Sequence, residues 1–476
     1  MRRREFMKKA GAASLAFSSS FDIASADGTG LPNVLFIMTD QHFADALSCR
    51  MGSEYLHTPH IDSLAERGTF FSRAYCPNPL CVPARASIFT GRYPHETGIQ
   101  TNRGGPDDIN PDQITSLGRI FQQAGYDTGY FGKWHMPFRP EDTAGHGFSM
   151  TKLGGRDGKV PSRAVEFLKK DREDPFFLFA SFRNPHDICQ WARLESLPNG
   201  PIPEPPPISE RPPLPSNHEP PENETDIMSI MRRSYQETDM CTPVGSYDEA
   251  QWRRLRWGYY RLIEKVDAQI GQILQGLRKS GLEEDTLVVF VGDHGECCGA
   301  HKWNQKTVFY DESSRVPLIF SYGGSRMGPA TSPRLVQTGV DILPTLCELA
   351  AVPVPRDLPG RSVAPIVRGR EPSGWRDYVV VSNKMVQGAP LDGWSHEPDG
   401  RMVRGERYKY CLYSEGRRRE SLVDMKEDPG EMVNLAGNPD YADVVTQHRE
   451  ALEQHARDRD DSVALEMLRE YPGPSA

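Results

Sequence analysis

Long hydrophobic runs are missing from this 476-residue chain. After residue 26 no apolar stretch reaches the length that crosses a bilayer, which excludes a helical membrane protein and a stable membrane anchor. Cysteine is scarce. There are nine, an odd number, and no C-x-x-C spacing occurs. That excludes a disulfide scaffold and a zinc ribbon. Positive charge is in deficit, with 56 Lys and Arg against 65 Asp and Glu and a net charge of −9. A nucleic-acid binder would show a basic footprint, so nucleic acid is not the expected partner. Broad electrostatic attraction of anions is excluded too. Any anion site must be a local pocket of Arg, Lys and His. Internal repeats are absent. What remains is globular composition, 37% apolar and 25% charged, in a chain long enough for a large core and more than one unit.

Three units are expected. Residues 1–26 read as an address. Arg3-Arg4-Glu5-Phe6-Met7-Lys8 has the twin-arginine pattern, and a mild apolar run ends in Ala24-Ser25-Ala26, an A-x-A cleavage site. Export through the twin-arginine (Tat) machinery to a bacterial periplasm or medium is expected. Residues 27–374 form the main unit and 375–476 a smaller C-terminal one.

Helices alternate with buried strands in the main unit. Apolar runs at 33–38, 127–131, 176–182, 286–291 and 317–321 predict strands. Helices are predicted over 58–68, 114–124, 162–170 and 340–350. The segment 251–279 carries Leu255, Leu262, Val266, Ile270, Ile273 and Leu277 at helical spacing. This alternation predicts an α/β sandwich with a largely parallel central sheet. Asp40-Gln41 and Asp293-His294 each follow an apolar strand. Ligands collect at the carboxyl ends of strands in such sheets, so the two pairs can meet at one rim. Residues 198–221 are proline-dense and aperiodic, a surface loop. After residue 375, segments 378–382 and 408–413 read as antiparallel strands and 440–470 as a charged terminal helix, a small α+β unit.

The informative segment is Cys81-Val82-Pro83-Ala84-Arg85, followed by Thr90-Gly91-Arg92. C-x-P-x-R-x-x-x-x-T-G-R, about 40 residues after a strand ending in Asp-Gln, resembles the signature of type I, formylglycine-dependent sulfatases of the alkaline-phosphatase-like superfamily. Gly132-Lys133-Trp134-His135, Asn184-Pro185-His186, Gly292-Asp293-His294-Gly295, Lys306 and Tyr310 through Pro317 match that family's further motifs in order. Arg407 through Tyr410 and the run from Leu422 to Leu435 resemble its C-terminal subdomain.

The resemblance implies a nucleophile made from Cys81, oxidised by a formylglycine-generating maturation enzyme. The hydrated aldehyde offers one hydroxyl to attack sulfur and a second to expel sulfate, whereas a serine or a plain thiol would be left blocked. It implies a divalent cation on Asp40, Gln41, Asp293 and His294, Ca²⁺ first, with Mg²⁺ or Mn²⁺ as alternatives. Many relatives carry Asp and Asn where Gln41 and His294 stand. This Gln/His pairing resembles the branch that includes choline sulfatases and phosphonate monoester hydrolases. Arg85, Lys133 and Lys306 would form a cationic cradle. His186 would protonate the leaving oxygen and His135 would orient the nucleophile, with the reverse assignment open. His301 is considered for substrate contact, and Cys297-Cys298 for buried packing.

The expected activity is hydrolysis of sulfate esters of an external sulfated carbohydrate. The alternatives are a phosphonate monoester or phosphodiester hydrolase with the same machinery, and a non-catalytic glycan-binding relative.

Overall fold

The computed structural model describes residues 31–103, 109, 114–236, 244–323, 328–386, 388–391 and 393–473. The expected leader and Cys241 lie outside them. The chain forms β1 (Asn33–Asp40), β2 (Thr69–Tyr75), β3 (Asp127–Gly132), β4 (Met150–Leu153), β5 (Phe176–Pro185), β6 (Thr286–Gly292), β7 (Leu318–Tyr322) and β8 (Thr331–Gln337). These make one eight-stranded sheet, ordered β4-β3-β5-β1-β6-β7-β2-β8. Only β7 runs antiparallel to its neighbours, β6 and β2. A second sheet holds β9 (Tyr378–Lys384), β10 (Asp399–Gly405), β11 (Tyr408–Tyr413) and β12 (Glu420–Asp424), antiparallel and in the order β12-β11-β10-β9.

The near-continuous apolar runs follow from burial on both sheet faces. Val34, Phe36 and Met38 of β1 point into one core, shared with Val82, Phe89, Leu117 and Leu343. Leu35 and Ile37, one step out of phase, point into the other, with Leu64, Phe167, Ile270 and Leu277. Helices therefore cover both faces of the sheet. The longest, Glu249–Lys279, starts two residues before the predicted segment because Asp248 and Gln251 form a reciprocal capping box. The small sheet is sandwiched likewise. Val381 and Met402 pack towards Tyr75 and Phe309 of the main body, while Val380 and Tyr410 pack on the terminal helices.

Several elements depart from the sequence reading. The helix expected from residue 114 begins at Leu117, because Ser116 Oγ accepts from Arg119 N at 3.2 Å and fixes the start there. The single terminal helix is two, Ala442–Asp458 and Ser462–Glu470. Asp460 adopts a φ of +55° at the break, and Asp461 caps the second helix through Ala464 N. Strands β2, β4, β8, β10 and β12 were not marked by their apolar pattern, nor was the helix Cys81–Thr90. That helix is buried on every side, so it shows no amphipathic period. Residues 198–221 are irregular apart from a short turn at Ile208–Glu210. No helix of the described residues is long and apolar enough to cross a membrane.

Candidate active site

The carboxyl ends of β1, β3, β5 and β6 lie side by side in the sheet, and each delivers polar side chains to one rim. β1 ends in Asp40, followed by Gln41, whose φ of +68° turns the chain sharply. β6 ends at Gly292 and places Asp293 and His294 next to it. Asp293 N donates to Thr39 O at 3.1 Å, and Gln41 N donates to Asp293 Oδ1 at 3.0 Å. These hydrogen bonds bring together two motifs, with Gln41 and Asp293 252 positions apart.

Cys81 is the first residue of the buried helix Cys81–Thr90. The N-terminus of that helix brings the positive end of its dipole to Cys81. Val82 N donates to Asn102 Oδ1 at 3.0 Å, which fixes that first turn against the next loop. The Cys81 Sγ lies 3.1 Å from His294 Nε2, 3.5 Å from Lys306 Nζ and 3.7 Å from Asp40 Oδ1. Burial alone would raise this thiol. Lys133, Lys306 and His294, with a hydrogen bond from His135, instead hold it well below the ordinary range.

Arg85, one turn further along the same helix, is wholly buried. Nε donates to Asp293 Oδ2 at 2.8 Å, Nη2 to Asp40 Oδ2 at 3.0 Å and Nη1 to Ser181 Oγ at 2.9 Å. One planar guanidinium thereby fixes both carboxylates, a task lysine cannot perform. Lys133 follows β3 and its ammonium pairs with Asp40. Its position depends on Gly132, which has a φ of +111° and where any Cβ would lie 1.8 Å from Ser181 O. Lys306 donates to Gln41 Oε1 at 2.7 Å, and the carboxylates and thiol around it raise its pKa against the effect of burial.

The two remaining histidines stand at the opening. His135 is exposed, has a φ of +47° and bonds to the Cys81 thiol. His186, just after β5, is half-buried and also meets the thiol. Burial, then Lys306 and Lys133, push its pKa down to about 3, so it is neutral near pH 7. The ten residues given catalytic or metal-holding roles in the sequence therefore cluster together, with His135 and His186 on the more exposed side. His301 does not. It is fully buried, stacks on Tyr310 with centroids 3.7 Å apart and bonds to Asn217, so it has no access to substrate. Cys297 and Cys298 are buried and unpaired.

The donor set fits a cation. Ligating atoms of Asp40, Cys81, Asp293 and His294 lie within 4.8 Å of one another, all buried. His294 Nδ1 donates to Gly295 O at 3.0 Å, which leaves the Nε2 lone pair facing the cluster. Gln41 Nε2 donates to Glu296, so the amide oxygen faces the opposite way, towards Lys306.

Several supports escaped the sequence reading. Glu296 anchors Gln41 and also accepts from Cys298 N and Gln305 N. Its place two residues beyond His294 is the one signal that marks it. Ser181 lies inside an apolar strand and carries none. Asp157 accepts from the backbone N–H groups of Arg183 and Asn184 at 2.7 and 2.8 Å and so holds the turn that presents His186.

Comparison with known proteins follows the same lines. The sulfatase family model matches residues 32–352, and a model described as N-sulphoglucosamine sulphohydrolase, C-terminal, matches 299–458. The chain is 31% identical to the Delta 4,5-hexuronate-2-O-sulfatase of Bacteroides thetaiotaomicron, over 93% of each chain. It is 30% identical to an ulvan-active sulfatase of Formosa agariphila, over 86% of this chain and 78% of that one. The solved structure of a 2-O GAG sulfatase superposes with a TM-score of 0.78 at 29% identity, covering 91% of this chain and 93% of that one. A phosphonate monoester hydrolase of Agrobacterium radiobacter shares the fold, with a TM-score of 0.73 at 24% identity, covering 90% of this chain and 96% of that one.

Proposed function

The chain belongs to the sulfatase family and is a hydrolase of sulfate esters, and we propose that it acts on sulfated carbohydrate outside the cytoplasm with Cys81, converted to formylglycine, as nucleophile. The observation that carries this reading is the surroundings of Cys81. It begins a helix, is buried, and faces Lys133, Lys306 and His294 beside the Asp40–Arg85–Asp293 bridge. An inert structural cysteine needs none of these neighbours.

Formylglycine supplies a hydrate with two hydroxyls, one to take the sulfuryl group and one to expel sulfate as the aldehyde re-forms. Asp40, Gln41, Asp293 and His294 would hold a hard divalent cation, Ca²⁺ first and Mg²⁺ or Mn²⁺ as alternatives, which supplies positive charge that acidifies the hydrate. Arg85 keeps the two carboxylates in register. Lys133 and Lys306 neutralise the sulfate oxygens as charge shifts in the transition state. His186 donates the proton to the leaving oxygen. Burial, then Lys306 and Lys133, depress its pKa, and a bound sulfate would offset the lysines' share of that shift. His135, at the exposed side, orients the nucleophile.

The relatives named for hexuronate, ulvan and GAG substrates support carbohydrate as the substrate class. The twin-arginine leader (1–26) ahead of a catalytic unit (27–374) and a C-terminal unit (375–476) supports Tat export, and C-x-P-x-R supports processing by a formylglycine-generating enzyme. The test is sulfate release from a panel of sulfated oligosaccharides and polysaccharides, beside an aryl sulfate and an aryl phosphonate. Release from one glycan class, with the phosphonate slow, is expected. Phosphonate cleavage with every sulfate untouched would replace this reading by the phosphonate hydrolase one.

A further inference from the structure

We infer that Trp394, on a connection that Arg103 ties down, forms a second contact for substrate, a platform near the Cys81 site that stacks a pyranose ring next to the sulfated one. The inference rests on the sulfated-carbohydrate reading and adds the site that would hold the rest of the glycan.

The connection between β9 and β10 leaves the sheet close to the segments that carry Cys81 and Lys306. Ser382 N donates to Pro77 O at 3.0 Å, just ahead of the Cys81 helix. Asn383 Nδ2 donates to Thr307 O, one residue from Lys306. Further out, the connection is tied to the loop that follows the Cys81 helix. Arg103 Nη1 pairs with Glu397 at 2.8 Å and Nη2 reaches Val386 O at 3.4 Å. Arg103 adjoins Asn102, which holds Val82 N at the start of the Cys81 helix. The connection is therefore held to the segments on either side of the Cys81 helix in sequence.

Trp394 is carried on this connection and exchanges backbone bonds with Leu391 at 2.9 and 2.8 Å. Its indole is 73% exposed, the most open large apolar side chain among the described residues. A tryptophan costs solubility at a protein surface, and a backbone fixed on both sides holds it out rather than folding it in. A flat apolar surface with a polar N–H edge suits the C–H face of a sugar ring and its hydroxyls. Arg103 is 67% exposed and Glu397 44%, so their pair is weak and exchangeable. The guanidinium can turn to a carboxylate or a second sulfate on the neighbouring ring, with fork geometry that suits either.

The experiment compares wild type with Trp394→Ala and Trp394→Phe on a cleaved sulfated oligosaccharide and on an aryl sulfate. Trp394→Ala should raise KM for the oligosaccharide by about 5- to 20-fold with kcat unchanged. Aryl sulfate kinetics should not move, and Trp394→Phe should restore most of the affinity. Unchanged oligosaccharide KM in Trp394→Ala, or an equal loss on the aryl sulfate, overturns the platform and leaves the carbohydrate reading standing. A wild type that cleaves the aryl sulfate and no saccharide overturns both.

Discussion

Arg85 shows how one side chain sets the chemistry of the whole pocket. Two buried carboxylates, Asp40 and Asp293, repel each other, and burial raises the pKa of both. Lys133, with His186 and the guanidinium between the carboxylates, keeps Asp40 ionised well below the ordinary carboxylate range. Asp293 stays raised, because Asp40's charge adds to its burial. A bound cation would settle that imbalance, so Asp293 is the residue to test. Asp293→Asn keeps the shape but removes a charge and one of the two acceptor oxygens. Divalent metal per chain, read by mass spectrometry, and sulfate release should fall together, turnover by at least about 100-fold. Unchanged metal content would contradict the ligand assignment. At this scale the sequence was most legible, since Cys81, Arg85, Asp40, Gln41, Asp293 and His294 sit in spaced motifs. His301 misled because nearness along the chain says nothing of direction. A φ of +54° turns it away under Tyr310. Ser181 and Asp157 left no trace because a lone polar residue in or beside a strand has many ordinary reasons to be there.

Elements were legible where one face differed from the other or where both were apolar. Strands β1, β5 and β6 and the long helix 249–279 stood out for that reason. The edge strand β4 is only partly buried, and the Cys81 helix is buried all round, so neither has a readable period. The terminal helix was read as one because a charged, exposed segment tolerates a break without an apolar signal. The break has a purpose in the packing. Asp461 caps the last helix through Ala464 N and pairs with Arg401 through Oδ1 and Oδ2 at 2.8 and 2.6 Å, both side chains buried. Burial opposes ionisation, yet Arg401 draws the Asp461 pKa down to about 2. Asp461→Ala should cost about 3–5 kcal/mol, since it strands a buried guanidinium and removes a cap. Thermal denaturation checks it, and a loss below about 1 kcal/mol would mean the pair contributes little.

At the scale of the molecule, the site is a product of topology. The parallel strands β3, β5, β1 and β6 put their carboxyl ends on one rim, as the alternation of helices and strands led one to expect. The antiparallel β7 and the order of the outer strands followed no pattern that a single sequence displays. The same framework carries a pH dependence. Burial pushes Asp157 up to about 7, against the two amides it accepts. Its folded pKa exceeds the unfolded value near 4, so the folded state binds more protons between about pH 4 and 7. Stability from this group is present below that range and is lost as pH rises through it, by up to about 1.4 kcal/mol per unit. Asp267, also raised to about 7 by burial, acts in the same sense. Asp157→Asn should therefore flatten the fall in stability between pH 5 and 7 by about 1 kcal/mol per unit, measured by denaturant titration at each pH. An unchanged slope would show that Asp157 does not titrate there.

The central claim is that Cys81 is converted and then does the chemistry. The direct measurement is the mass of the Cys81 peptide, taken on the same preparations whose sulfate release is assayed, with and without co-expressed formylglycine-generating enzyme. Turnover should rise in proportion to the converted fraction and vanish in Cys81→Ala, with the fold intact by circular dichroism. Full turnover from unconverted Cys81, or from the alanine variant, would contradict the account.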